Sequence, residues 1–327
     1  MRFPLLCLLV VILLAPVHGA EPFFKKGDII ALVGGEDMVV ASEYGYLELL
    51  LTRALPDYHL RFRNLAWEGD TVFEQRRDLN FPTWEEQLDK IGATVVICQY
   101  GKMSSLGNHG LMKPGGTSAA QVRAQLPDFI ATYEKLLQRF AGEEKRRVVI
   151  LTPFFPVPPR HRAIAGTLRL TAATGLAERT DDFFAYADAC GQVGTRTGAR
   201  VLNVNLASFA TSPFRSDGLH LSMTGHHDVA PLIATDLLGA PPQRGKATPA
   251  SENLRQLIIA KNRLWFDYWR VQNWAFLAGD RISQPSSRDH LDPSKRWFPP
   301  EREAFLPLIE AKEQEIDTLA AQLATGK

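Results

Sequence analysis

Short apolar runs alternate with amphipathic stretches from residue 27 onward. Residues 29–33, 59–65, 94–99, 147–152 and 200–204 read as strands, and 94–99 is too apolar to face water. Between the strands the spacing becomes helical. Tyr46, Leu47, Leu50 and Leu51 recur at helical intervals and predict a helix over 43–55. Residues 83–91 predict another, with Thr83 as N-cap and Glu86 at the partner position of a capping box. Further helices are predicted over 118–140, 181–195 and 224–238. Strand then helix, repeated with continuous apolar strands, predicts a parallel sheet covered on both faces. Right-handed crossovers then build a doubly wound, three-layer α/β/α sandwich around a five-stranded parallel sheet. Its site is expected where the strands end: at 34–36, 66–70, 100–103, 153–154 and the loop leading to His220.

The α/β pattern occupies residues 21–240. Residues 241–251, rich in Pro, Gly and Ala, read as a linker. Residues 252–327 then form a C-terminal helical extension: a long helix over 252–276, a polar loop over 279–300 and a final helix over 301–323. Trp265, Phe266, Tyr268, Trp269, Trp274 and Phe276 crowd the first of these helices. Such a stripe is expected to pack against the sheet domain or the last helix. A surface for a protein partner is the second reading.

Composition narrows the function classes. Among 327 residues, 37 Lys and Arg face 36 Asp and Glu, so no basic field invites nucleic acid. Met1-Arg2, an apolar run over 3–16 and small residues through Ala20 read as a signal peptide over 1–20, cleaved after Ala20. The protein is therefore expected to be exported, periplasmic or extracellular, and the run is too short to leave a membrane span. Removal of the signal leaves Cys98 and Cys190, which read as buried packing thiols rather than a disulfide framework. No phosphate loop or dinucleotide fingerprint is present, and the adjacent His226 and His227 diverge, so neither a cofactor nor a metal is expected. His109 and His161 fall on polar stretches and are expected to be solvated.

The richest stretch for chemistry is Ser216-Asp217-Gly218-Leu219-His220, followed by Leu221-Ser222-Met223-Thr224-Gly225. An Asp three residues before a His, on a loop entering a helix, places both side chains in one pocket. The carboxylate accepts from one imidazole nitrogen while the other faces a substrate. Alone, this spacing is equally a loop Asp and a surface His; its position after the last strand favours a site. His220 then needs a third group to serve.

At this point the chain resembles the SGNH, or GDSL-type, hydrolases over residues 27–240. That family comprises three-layer α/β/α esterases and lipases, including carbohydrate-ester deacetylases. Its four blocks are a nucleophile Ser after strand one, a Gly after strand two, Gly-x-Asn after strand three and Asp-x-x-His before the last helix. Asn64-Leu65-Ala66-Trp67-Glu68-Gly69-Asp70-Thr71 resembles the second block, and the run from Asp217 to Gly225 closely matches the last. In the first block Gly34-Gly35-Glu36 puts Glu36 where the family has Ser. In the third, Gly101-Lys102-Met103 puts Met103 where it has Asn. The run from Lys261 to Asn273 also resembles the tail of a secreted bacterial subgroup.

The resemblance implies an ester hydrolase acting on a small ester or an acylated carbohydrate, with Asp217, His220 and Glu36 as its catalytic group. Gly35, Gly69 and Met103 would line the oxyanion pocket. Without the Ser there is no seryl acyl-enzyme, and Met103 offers no hydrogen-bond donor. Losing one such donor costs about 10²–10³ in rate in a well-studied protease. Glu36 would set His220 between two acids, which together activate a water. Other hydroxyls nearby in sequence are Ser42, too far along the helix after strand one, Thr71, and Ser104 and Ser105, which follow strand three and would line the pocket; none is expected to replace the nucleophile. The alternative function is a catalytically inactive descendant that binds a glycan or a protein through the old pocket.

Overall fold

The computed structural model describes residues 23–110, 118–155, 180–204, 206, 213–215, 219–242 and 248–326. The expected signal peptide, His161 and Asp217 lie outside them. Five strands form one parallel sheet: β1 (Ile29–Gly34), β2 (Arg61–Asn64), β3 (Val95–Gln99), β4 (Arg147–Leu151) and β5 (Arg200–Leu202). Their order is β2-β1-β3-β4-β5, so the winding reverses between β1 and β3. A crevice opens outside the strand ends at such a reversal.

The strand pattern explains the layers. Successive side chains point to opposite faces, and both faces here are apolar. Ala31, Val33, Val96 and Cys98 join a core with α3 (Trp84–Lys90), α6 (Leu126–Ala141) and α7 (Thr180–Thr197) through Leu88, Tyr133 and Tyr186. Ile30, Leu32, Val95 and Ile97 join the other core, with α1 (Glu36–Tyr44), α2 (Tyr46–Ala54) and α8 (Met223–Leu238) through Val39, Leu51 and Ile233. Cys98 and Cys190 are both buried and free, and burial pushes the Cys98 thiol up to about 12, which keeps it protonated and inert.

The helices differ from their expected bounds for local reasons. The region predicted as one helix over 43–55 is two, divided at Gly45 in a left-handed conformation with φ 67°. The first of them starts at Glu36, well before the expected start. Asp37, Met38, Val39 and Val40 are buried in succession, so this helix carries no amphipathic period. The region 118–140 holds α5 (Ala119–Ala124) and α6, and Pro127, which has no N–H to donate, falls in the first turn of the second. His109 is fully buried, against the expectation of a solvated side chain, with its ring 5.2 Å from Phe73 and 6.3 Å from Tyr186.

The extension is built onto the sheet. Its long helix α9 (Pro249–Trp269) begins inside the expected linker, where Thr248 and Ser251 form a capping box, and ends at Trp269. A short helix α10 (Trp274–Leu277), then α11 (Phe298–Glu303) and α12 (Phe305–Thr325), complete it. Trp265, Tyr268 and Trp269 sink into the core on the first face of the sheet. The Trp265 indole donates to the Asn64 carbonyl at 2.8 Å. Arg61 and Arg63 of edge strand β2 reach Asp317 at 2.7 Å and Glu313 at 2.5 Å on α12. The exposed edge of the sheet is thereby covered. Deeper still, the Lys261 ammonium pairs with Glu48 of α2 at 2.8 Å.

Lys261 is 1% exposed, and burial pulls its pKa down against the attraction of Glu48. Lys261→Ala leaves Glu48 buried without its cation and is expected to cost about 3–5 kcal/mol of unfolding free energy. Lys261→Met combined with Glu48→Leu is expected to recover most of that loss. Urea unfolding of the three proteins measures both, and a single-variant loss no larger than that of a surface substitution would contradict the anchoring role.

Candidate active site

The site begins with a steric constraint. Gly34 has φ 134°, and a Cβ there would stand 2.3 Å from the Gln99 carbonyl oxygen of β3. Only glycine lets β1 leave the sheet this close to its neighbour. Gly35 then serves as the N-cap, and Glu36 is the first residue of α1. Glu36 and Asp37 occupy the first turn, where a helix favours negative charge.

The second loop is tied to the same point. Trp67 N–H donates to the Gly34 carbonyl at 2.9 Å, and Asp70 N–H to Trp67 at 3.1 Å. Gly69 between them has φ 81°. Two guanidiniums flank the Trp67 ring, Arg77 at 4.4 Å and Arg270 at 4.1 Å. Arg77 also grips both oxygens of Asp70 at 2.8 Å, and Arg270 pairs with Glu68 at 2.8 Å. Among the described residues, neither the Glu36 nor the Gly69 N–H donates to a protein acceptor.

The third and fourth loops close the pocket. Gly101, at φ 115°, turns β3 into α4 (Lys102–Ser105), which carries Met103. His220 is held by backbone contacts: Phe214 bridges Leu221, and Arg215 N–H donates to the His220 carbonyl at 2.7 Å. Ser222 then caps α8, its hydroxyl accepting from Gly225 N–H at 3.0 Å.

Glu36 Oε2 lies 2.9 Å from His220 Nε2, and Arg215 stands 3.8 Å from Glu36 Oε1. A cavity of about 270 Å³ is lined by Gly35, Glu36, Gly69, Met103 and His220. Asp217, the remaining residue of the expected group, is outside the described residues. Of the four hydroxyls named from the sequence, Thr71 and Ser104 line the cavity and Ser42 and Ser105 do not. Ser42 accepts from the Asn64 amide at 2.6 Å, Ser105 donates to the Lys102 carbonyl at 2.6 Å, and Thr71 donates to the His109 carbonyl at 3.1 Å. Among the described residues, the Glu36 carboxylate faces the imidazole.

Several groups of the site escaped the sequence. Asp37 pairs with Lys102 on the cavity wall, a contact spanning 65 positions that no local pattern signals. Asp70 and Tyr100, inside the strand ends where the site was expected, belong to the wall, whereas Arg215, one residue before the motif, was not singled out. His226, read from the sequence only as diverging from His227, directly follows the motif and is buried against Tyr44 with ring centroids 5.3 Å apart.

Two of these groups titrate far from their usual range. Burial holds His226 down to about 4; the Asp37 carboxylate opposes that shift, and Lys102 and Arg215 reinforce it. Burial pushes the Asp70 carboxyl up to about 6 against the pull of Arg77. As pH falls from 6.5 toward 4, the unfolded chain takes up the imidazole proton first. His226 therefore contributes stability that is present above about pH 6.5 and lost toward pH 4. Asp70 acts in the opposite sense: its contribution is present below its usual 3.8 and lost as pH rises through about 6. The two offset each other in the native chain. His226→Asn is expected to steepen the fall of stability between pH 4 and 6.5, and Asp70→Asn to produce a rise, by about 3 kcal/mol in each case. Urea midpoints across that window measure this; variants that track the native protein would contradict it.

No family model matches the chain, and no curated protein matches it in sequence. Solved structures do resemble it. A gut microbial diltiazem-metabolizing enzyme gives a TM-score of 0.55 over 92% of this chain and 95% of its own, at 12% identity. A protein described as a GDSL-like lipase from Parabacteroides merdae gives 0.44 over 66% and 97%, at 11% identity. A psychrotrophic esterase from Pseudoalteromonas gives 0.39 over 62% and 93%, at 14% identity. Of these three only the first exceeds 0.5, and its likeness runs through the extension as well as the sheet domain. In its strand order, its layers and its loop blocks, the chain has the SGNH-hydrolase fold with a C-terminal helical extension.

Proposed function

We propose that the protein hydrolyses a small ester by direct attack of water, with no seryl acyl-enzyme. The observation that carries this reading is the 2.9 Å contact between Glu36 and His220 inside a cavity that also holds two backbone donors unengaged among the described residues. Glu36 takes a proton from water, and the resulting hydroxide adds to the ester carbonyl. The N–H groups of Glu36 and Gly69 receive the oxyanion. His220 Nε2–H then protonates the leaving alkoxide, so the products are one carboxylic acid and one alcohol. The proton held by Glu36 crosses the same 2.9 Å contact to His220 and restores the starting state. Asp217 is proposed to orient the far side of the imidazole, as the resemblance implies.

A second reading has its own observation. Met103 occupies the position where the family supplies a third oxyanion donor, and a thioether donates nothing. On that reading the cavity binds a glycan or a protein and catalyses nothing.

Turnover separates the two. The native protein is expected to hydrolyse p-nitrophenyl acetate, and Glu36→Gln and His220→Ala are each expected to lower kcat by at least ~10²-fold. Serine-directed phosphonates are expected to leave the protein unlabelled. Stoichiometric labelling at Ser104 would replace Glu36 with a displaced serine nucleophile, and an inactive but fully folded native protein would leave the binding reading.

A further inference from the structure

Gly69 must offer its N–H at one place in the cavity, and its own packing does not fix it there. Its φ of 81° suits glycine, and a Cβ built on it would meet nothing within 4 Å. Among the described residues its N–H donates to no protein acceptor. Whatever holds Gly69 therefore acts on the residues either side of it, and arginines grip both. Glu68 pairs with Arg270 at 2.8 Å, and Asp70 pairs with Arg77 at 2.8 Å.

The two arginines meet on a single ring. Arg77 lies 4.4 Å and Arg270 4.1 Å from the centroid of Trp67, whose N–H donates to the Gly34 carbonyl at the end of β1. Each guanidinium thus ties one neighbour of Gly69 to an indole that is itself fastened to the sheet. Arg77 belongs to the same loop, whereas Arg270 comes from the extension. Its N–H donates to the Phe266 carbonyl at 2.8 Å to close the end of α9, and its guanidinium also lies 5.0 Å from the Phe266 ring. That helix end is sunk in the core through Trp265 and Trp269. An ion pair to Glu68, whose side chain is 47% exposed, would hold little by itself. Stacked on Trp67 and Phe266 and only 16% exposed, the Arg270 side chain has little freedom to swing away.

We propose that Arg270 is a positioning residue for the reaction: through Glu68 and Trp67 it fixes the Gly69 N–H where the oxyanion forms. The extension is then part of the hydrolytic unit and not an added domain. This rests on the hydrolytic reading above, because it needs the Gly69 N–H to receive the oxyanion. Without Arg270 that N–H spreads over a wider range of positions, and a displacement of about 1 Å is enough to lower an enzymatic rate by up to ~10²-fold. The oxyanion exists only after water has added, so the loss falls on kcat and not on KM.

Arg270→Ala is expected to lower kcat for p-nitrophenyl acetate roughly tenfold and to leave KM within about twofold of the native value. Arg270→Lys keeps the charge beside Glu68 and loses the flat guanidinium on Trp67. It is expected to fall between the two, and it carries the test if the alanine variant does not fold. Arg61→Ala is the control: it breaks the extension's contact with Asp317 at the start of β2, away from the cavity, and is expected to lower the thermal midpoint while keeping kcat. Exchange of the Trp67 and Asp70 amide protons, followed by NMR, reads the loop without turnover and is expected to quicken about tenfold in Arg270→Ala. Native kcat in both Arg270 variants, or an equal fall in Arg61→Ala, overturns the positioning role and leaves hydrolysis standing. A lowered kcat with unchanged exchange overturns it as well, since Arg270 would then act elsewhere. A native protein that turns nothing over sinks the hydrolytic reading and takes the positioning role with it.

Discussion

Everything at the site depends on how closely β1 passes β3. With 2.3 Å between a hypothetical Cβ on Gly34 and the Gln99 carbonyl, no side chain fits there. The chain must turn at once, and a helix starts one residue later. Glu36 is thus fixed at a helix N-terminus at the switch point of the sheet, where backbone N–H groups gather and negative charge is favoured. The Gly34 carbonyl also receives Trp67 N–H, which brings Gly69 and Asp70 to the same place. One glycine therefore sets the relation between the first two loops of the pocket.

The extension reaches this pocket through the second loop. Its helix α9 is anchored by the buried Lys261–Glu48 pair and by the Trp265 indole on Asn64. Arg270, just past its end, covers the Trp67 ring and pairs with Glu68, next to Gly69. The aromatic helix is thus packing, and its packing continues to the wall of the cavity. The same helices cover the β2 edge, which would otherwise offer unpaired backbone groups to another chain.

The fold was largely legible because parallel strands are apolar on both faces and the helices between them mostly are not. The residues 94–99 and 147–152 announced β3 and β4 by hydrophobicity alone. Helix α1 did not, since four successive buried residues erase the helical period that such reading requires. Glu36, Gly69, Met103 and His220 were picked out because each is the local ending of a strand or the start of a helix, and the structure brings them to one cavity. The Asp37–Lys102 pair, the Asp70–Arg77 pair and the burial of His226 were not, because they depend on packing between separate loops. His109 misled for the same reason: its neighbours Asn108 and Gly110 are polar or small, while Phe73 and Tyr186 close over it from distant elements.

The central claim is that Glu36 acts on water and not on the ester itself. A carboxylate in this position can also attack the carbonyl and form an acyl anhydride. Hydrolysis in heavy-oxygen water, followed by mass spectrometry of the product acid and of the peptide containing Glu36, separates direct attack from an anhydride that water opens at the Glu36 carbonyl. Direct attack by water puts the label into the product acid from the first turnover and leaves Glu36 unlabelled. Heavy oxygen in the Glu36 carboxylate, with unlabelled acid from the first turnover, would contradict the account.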